Sequence, residues 1–107
     1  MQESQFHQLA DKWLLSAQDR LENADSEGLL DIDCAHGSLS ITLESGQVFL
    51  VSKHTPSRQL WLSSPISGGL HFGYDEKSKQ WILANGCILP ELLAKELQSL
   101  SGITISL

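Results

Sequence analysis

Apolar residues recur every three or four positions near both ends of the chain, as they do in amphipathic helices. The first predicted helix covers residues 4–23, with Ser4 as its N-cap and Glu3 complementing its dipole. Its predicted buried stripe is Phe6, Leu9, Ala10, Trp13, Leu14, Ala17 and Leu21. The second predicted helix has Pro90 in its first turn and ends at Gly102. Its predicted buried stripe is Leu92, Leu93, Leu97 and Leu100.

Between the two helices the apolar period changes to two, which is typical of half-buried strands. Six strands are predicted, at residues 30–34, 38–44, 48–53, 58–64, 70–74 and 80–83. The segments between them are short and polar, and one tight turn is predicted at Gly68 and Gly69. Residues 103–107 form an apolar tail that is expected to lie against the core between the helices.

The order of helix, six strands and helix predicts an α+β fold, because hairpin-length connections produce an antiparallel sheet. The expected architecture is a two-layer α/β sandwich in which the N- and C-terminal helices cover one face of the sheet. The other face then meets water. A length of 107 residues is enough for one compact domain and too short for two, so residues 1–107 are taken as a single domain.

The net charge of −6 lies entirely in the first third of the chain. Residues 1–34 carry eight acidic and two basic side chains, whereas residues 35–107 are neutral overall. Strand parity turns Asp31 and Asp33 outward, and the first helix leads directly into their strand. Helical and strand carboxylates are therefore expected to share one surface. Such charge disfavours a nucleic-acid partner and indicates a site for cations or for a basic protein.

The acidic surface offers a candidate metal site. Carboxylates suit Fe, Mn, Mg or Ca, and His7 adds a nitrogen donor that favours transition metals. No EF-hand loop or Glu-x-x-His motif is present, so any site is expected to be open, labile and weak. An ordinary solvated acidic face is the alternative interpretation. The candidate ligands, called the acidic edge below, are Glu3, His7, Asp11, Asp19, Glu22, Asp25, Glu27, Asp31 and Asp33.

Trp61 has the opposite strand parity to Leu60 and Leu62. If the two leucines face the core, Trp61 lies on the uncovered face of the sheet, where an exposed tryptophan is a candidate binding anchor. His71 is predicted to lie on the same face. The alternative is a register slip or a bulge that buries the indole.

Motifs of common enzyme classes are absent: the chain has no P-loop, dinucleotide-binding, zinc-protease or nucleophile-elbow pattern, so conventional catalysis is not expected. The Cys34-x-His36 pair lacks the second pair that a structural zinc site requires. No apolar run is long enough to span a membrane, and no leader pattern is seen. The expected location is the cytoplasm, where a disulfide between Cys34 and Cys87 is not expected.

Residues 55–65 carry the most specific resemblance to a known family. They contain a proline, then Gln59-x-Trp61, then a serine, which resembles the frataxins, and especially their short bacterial form. The match extends over essentially the whole chain through residues 6–11, residues 30–39, His71, Phe72, Trp81, Leu92 and Leu93.

The resemblance implies a role in iron–sulfur cluster assembly. It implies weak, labile binding of Fe(II) and Fe(III) by the acidic edge, with other divalent cations as substitutes. The implied partners are the cysteine desulfurase and its scaffold protein, with Gln59 and Trp61 as candidate protein contacts and the rate of sulfur transfer as the regulated step. A monomer is expected, with metal-induced oligomers as a further option.

Two departures from the family pattern qualify these expectations. Gln18 and Asn23 stand where relatives often carry acids, which implies fewer or weaker metal sites. Ser52-Lys53-His54 replaces the Asn-Lys/Arg-Gln that is common in the family. The remaining alternatives are a ferroxidase or iron-storage protein, and a metal-independent protein-interaction module.

Overall fold

The computed structural model describes all of residues 1–107. Its elements are α1 (Glu3–Ala24), β1 (Asp31–Ala35), β2 (Ser38–Thr42), β3 (Val48–His54), a 3-10 turn (Thr55–Ser57), β4 (Gln59–Ser64), β5 (Gly68–Asp75), β6 (Gln80–Ile82) and α2 (Leu89–Ser101). The strands form one sheet in the order β1 to β6, and each neighbouring pair is antiparallel. The predicted α+β meander is confirmed, and every predicted strand agrees with the observed one to within two residues.

Side-chain alternation divides the sheet into a face covered by the helices and an open face. On the covered face, Val51 pairs with Leu62, and Leu62 pairs with Leu70 across β3, β4 and β5. Both helices bury their apolar stripes against this face. The buried helical side chains are Phe6, Ala10, Leu14, Ala17 and Leu21 in α1, and Leu89, Pro90, Leu93 and Leu97 in α2. Each large apolar side chain buried there stabilises the fold by about 1.5–3 kcal/mol.

The helix ends differ in part from the prediction. Ser4 as N-cap is wrong, because Gln2 occupies that position and its carbonyl accepts the Phe6 amide at 2.9 Å. Leu100 as a core residue is also wrong, since it is 36 % exposed. The buried positions of α2 instead recur every four residues and start one turn earlier, at Leu89. Leu9, Trp13 and Leu92, expected in the stripes, are half-buried against the core.

The turn between β4 and β5 lies before the two glycines, so the turn predicted at Gly68 and Gly69 is wrong. Gly68 pairs with Ser64 and Gly69 pairs with Ser63, which makes both glycines part of β5. The Ser64 hydroxyl accepts the backbone amides of Ile66 at 3.0 Å and Ser67 at 3.2 Å. These two bonds close the turn with a serine side chain, a local contact to backbone amides that is favoured in turns.

The C-terminal tail packs on the core as predicted. Ile105 is buried, while Ile103 and Leu107 pack partly against the core cluster. Arg20 of α1 donates from Nη1 to the Ser106 carbonyl at 3.2 Å, which ties the tail to the first helix. Neither helix combines the length and the apolar character needed to cross a membrane.

Candidate functional site

Three aromatic rings stack on the open face of the sheet, at its centre. Trp61 of β4 pairs in register with Ser52 of β3 and His71 of β5. Its ring lies 3.7 Å from the His54 ring, with an interplanar angle of 10°. On the other side, the His71 ring lies 4.1 Å away at 11°. The indole is therefore sandwiched between two imidazoles.

Polar bonds fix the orientation of this stack. Trp61 donates from Nε1 to Oε1 of Gln59 at 3.1 Å. His54 Nδ1 lies 2.6 Å from the hydroxyl of Ser57, which belongs to the 3-10 turn before β4. Because both contacts are local, the segment from β3 to β4 orients the His54 and Trp61 rings, and His71 is added by the pairing of β5 with β4.

The stack confirms that Trp61 and His71 share the open face, and the bulge that would bury the indole is wrong. Trp61 is half-buried rather than fully exposed, because the imidazoles cover both faces of its ring. Sequence reasoning missed His54 as a member of the group. The only signal was its even spacing from Ser52, which becomes informative once the register of β3 on β4 is known.

Apolar and small polar side chains surround the stack on the open face. Val48 and Leu50 of β3 are 44 % and 36 % exposed on this side of the sheet. Ser40 of β2 and Ser63 of β4 both pair with Leu50 and complete a low, flat surface. Exposed apolar residues beside a fixed aromatic group are the features of a protein-docking surface.

Acidic side chains from α1 and β1 lie on either side of Cys34, at the β1 edge of the sheet. Burial raises the pKa of the Cys34 thiol, and the nearby carboxylates of Asp33 and then Asp11 raise it further. Both carboxylates therefore lie within electrostatic reach of one sulfur atom. Asp11 lies on α1, which covers one face of the sheet, whereas Asp33 projects from β1 on the open face. The expected single surface of helical and strand acids therefore stays a prediction.

Lys53 reaches polar side chains of α1 from β3. It follows Phe49 and Val51 on the covered face of the strand, and its side chain passes beneath α1. Its ammonium lies 2.7 Å from Asp11 Oδ1 and 3.1 Å from His7 Nδ1. Two candidate metal ligands are thus in contact with a cation of the protein itself.

Gly37 gives the stem of Lys53 its space. A Cβ atom at position 37 would lie 2.8 Å from Lys53 Cε, closer than real contacts allow. The amide of Lys53 also donates to the Gly37 carbonyl at 3.0 Å. The turn between β1 and β2 therefore bonds the backbone of Lys53 and leaves room for its side chain.

Asp25 uses its carboxylate within the fold. Oδ1 accepts the Leu29 amide and Oδ2 accepts the Leu30 amide, each at 2.8 Å. Since both oxygens are bonded to backbone, Asp25 organises the connection from α1 to β1.

The remaining members of the acidic edge are not gathered into a ready-made site. Across residues 1–107, no three His, Cys, Asp or Glu side chains converge on a point where they could hold a metal ion. Metal binding by the acidic edge stays a prediction at this stage. The exposed carboxylates that the fold leaves without such a role are Glu3, Asp19, Glu22, Glu27, Asp31 and Asp33.

Comparison with known proteins adds the family. Residues 1–103 match the frataxin-like domain. The chain belongs to the frataxin-like family. The resemblance carried by Gln59-x-Trp61 is thereby confirmed over nearly the whole chain, including the helices that cover the sheet.

Curated relatives of this frataxin include bacterial and plant proteins. The iron-sulfur cluster assembly protein CyaY of Azotobacter vinelandii is 40 % identical over 94 residues, covering 87 % of this chain and 83 % of the relative. The protein of the same name from Pseudomonas fluorescens (strain SBW25) is 39 % identical, covering 94 % and 89 %. The mitochondrial frataxin of Arabidopsis thaliana is 35 % identical over the full length of this chain, which spans 59 % of that protein.

Solved structures agree in fold with this frataxin. Frataxin from Psychromonas ingrahamii superposes with a TM-score of 0.88 at 23 % identity, covering 99 % of this chain and 97 % of the other. A trimeric frataxin from the yeast Saccharomyces cerevisiae, complexed with ferrous iron, gives a TM-score of 0.69 at 26 % identity, covering 85 % and 83 %.

Replacing Asp25 by alanine is expected to destabilise this frataxin by about 1–2 kcal/mol, because two part-buried amides lose their charged acceptor. Urea denaturation measures the change, and Glu27→Ala, at an exposed acid of the same loop, is the control, with an expected change of less than about 0.5 kcal/mol. If the two variants lose equal stability, the structural role of Asp25 is wrong.

Proposed function

We propose that this frataxin serves iron–sulfur cluster assembly as a non-enzymatic adaptor that binds a protein partner through its open sheet face. The observation that carries the proposal is the fixed His54–Trp61–His71 stack on a face that nothing in the chain covers. The names of the bacterial relatives, which are iron-sulfur cluster assembly proteins, support the process. We further propose that residues 1–107 act as one domain in the cytoplasm.

The proposed partners are the cysteine desulfurase and its scaffold, with the rate of sulfur transfer as the regulated step. Asp31 and Asp33 pair with Thr42 and Ser40, which places these carboxylates on the same face as Trp61. Three strand spacings, about 14 Å in all, separate β1 from β4. A basic partner surface of ordinary size spans that distance and meets both features.

The acidic edge is proposed to bind Fe(II) or Fe(III) weakly, with other divalent cations as substitutes. Carboxylates concentrated on α1 and β1 repel one another, and a bound cation relieves that repulsion. The ferrous complex of the yeast relative supports iron as the metal. The chain is proposed to be a monomer without metal and to form oligomers when metal binds; the trimeric state of that relative supports an oligomeric form.

Pull-down of cysteine desulfurase tests the proposed function. Wild type is expected to retain the desulfurase, and a variant with Asp31→Asn and Asp33→Asn is expected to retain clearly less. Glu91→Gln on α2 is the matched control for loss of an exposed carboxylate elsewhere. Failure of the wild type to retain either the desulfurase or the scaffold would contradict the adaptor role.

Metal titration tests the iron part separately. Co(II) at sub-millimolar concentration is expected to shift or broaden amide signals within residues 3–33 and to leave those of β4 and β5 unchanged. If residues 3–33 do not respond, metal binding by the acidic edge is wrong and the metal-independent interaction module stands. Oxygen consumption with excess Fe(II) identifies the ferroxidase alternative, for which a rate near that of buffer alone is expected.

A further inference from the structure

Lys53 forms a salt bridge with Asp11, and it is more buried than a surface lysine usually is. Its side chain is 17 % exposed, compared with 50 % for its partner Asp11. The ammonium is held by two elements at once, since β3 supplies the lysine and α1 supplies both His7 and Asp11. A Cβ at Gly37 would crowd Cε of Lys53, so the glycine leaves room for the stem on this path.

The contact with His7 shows which ring nitrogen Lys53 occupies. An ammonium group has three donors and no acceptor, so Nδ1 of His7 must present its lone pair to Lys53. That lone pair is the one a metal ion would use, and Asp11 Oδ1 is the hard oxygen donor beside it. The Lys53 ammonium thus occupies His7 Nδ1 and Asp11 Oδ1, two atoms that would have to bind a metal ion at this end of the acidic edge.

We propose that Lys53 is a tethered cation that keeps divalent metal off His7 and Asp11 and directs it to the other carboxylates of the acidic edge. The inference rests on the proposed metal binding by that edge. A metal bound to both donors would lie about 2.0–2.2 Å from each, which is nearly the place that the ammonium nitrogen fills. Metal and Lys53 therefore exclude each other at these two atoms.

The tether makes this competition effective against weak ligands. A covalently attached group reaches effective concentrations on the order of millimolar, whatever the bulk composition. Lys53 is restricted further, because its side chain is part-buried and its backbone is paired within the sheet. At low concentration, a weakly bound metal ion therefore does not displace the Lys53 ammonium from His7 and Asp11.

Replacing Lys53 by methionine tests the inference, since methionine retains most of the apolar stem and removes the charge. Co(II) is added to wild type and variant while the His7 ring signals and the amides of residues 19–33 are followed by NMR. In wild type, residues 19–33 are expected to respond first and His7 last. In Lys53→Met, His7 is expected to respond at a Co(II) concentration roughly 3- to 10-fold lower, the range that a partly screened charge pair supports.

Lys12→Met is the matched control, because Lys12 is an exposed neighbour of Asp11 on α1 and takes part in no salt bridge. It removes the same charge without freeing any donor atom, so the response of His7 should stay close to that of wild type. Equal gains in Lys12→Met and Lys53→Met would overturn the inference, as would a wild-type His7 that responds first. Lys53→Gln provides a second variant if the methionine variant does not fold.

Failure of the proposed metal function gives a different result. If residues 3–33 of the wild type do not respond, the proposed iron binding is contradicted, but the variant still decides the role of Lys53. A response of His7 that arises only in Lys53→Met supports the tethered cation, provided that the accompanying response of the amides of residues 8–11 is lost again in Lys53→Met/His7→Ala. If His7 does not respond to Co(II) in any variant, the inference is overturned.

Discussion

Replacing Trp61 by alanine is expected to weaken binding of the desulfurase or scaffold by about 30-fold or more, because a central, oriented tryptophan is the typical hot spot of a protein interface. The indole is held by the imidazoles of His54 and His71 and by Gln59. A partner therefore meets a pre-ordered group and loses little entropy on binding it. Calorimetric titration of the partner into each variant measures the change.

The same substitution should leave most of the stability in place. Trp61 is half-buried, and each lost ring stack costs about 0.5–1.5 kcal/mol, so a total loss of about 1–3 kcal/mol is expected. Gln59→Ala is the control, since it removes the hydrogen bond to Nε1 and keeps the ring stack. Its binding loss should be smaller than that of Trp61→Ala. Unchanged partner affinity in Trp61→Ala would contradict the open face as the docking surface.

Strand parity was sufficient to predict the open face because it depends only on the alternation within one strand. Trp61 differs in parity from Leu60 and Leu62, and the buried leucines fix its direction. The stack around it needed more information. His54 touches Trp61 only because β3 pairs with β4 in one particular register, and no single-strand pattern specifies that register.

The contacts of Lys53 also could not be predicted from the sequence, because they join residues that are far apart in the chain. The sequence marked residues 52–54 only as a departure from the family pattern. In the folded chain the middle residue points to α1, whereas Ser52 and His54 point to the open face. This one tripeptide therefore serves two surfaces. Sequence distance gave no sign of it, because Lys53 meets His7 across 46 positions of the chain.

The acidic edge was predicted from charge density, which the sequence reports directly. Its internal order was not predictable, because carboxylates with different partners look alike in sequence. Asp25 bonds two backbone amides, Asp11 pairs with Lys53, and Asp33 faces the sheet surface. Three members of the acidic edge thus have three different environments, and only the fold distinguishes them.

Trp81→Ala is expected to produce the largest loss of stability, about 3–5 kcal/mol, because it removes a buried tryptophan and leaves a cavity. Trp81 is 2 % exposed. Its ring packs edge-on against Phe6, with centroids 6.0 Å apart, and against Tyr74 at 5.2 Å. It therefore joins α1 to the last two strands of the sheet.

The position of Trp81 in β6 increases the expected effect. β6 is a three-residue edge strand that pairs with β5 at three positions, so few backbone bonds retain it once the indole is lost. Urea and thermal denaturation should show the loss, with a fall in the melting midpoint of more than about 10 °C. Trp61→Ala deletes the same side chain from a half-buried position and is the matched control. If both variants lost the same stability, Trp81 would not be the junction of helix and sheet, and the contrast between a core tryptophan and a docking tryptophan would be wrong.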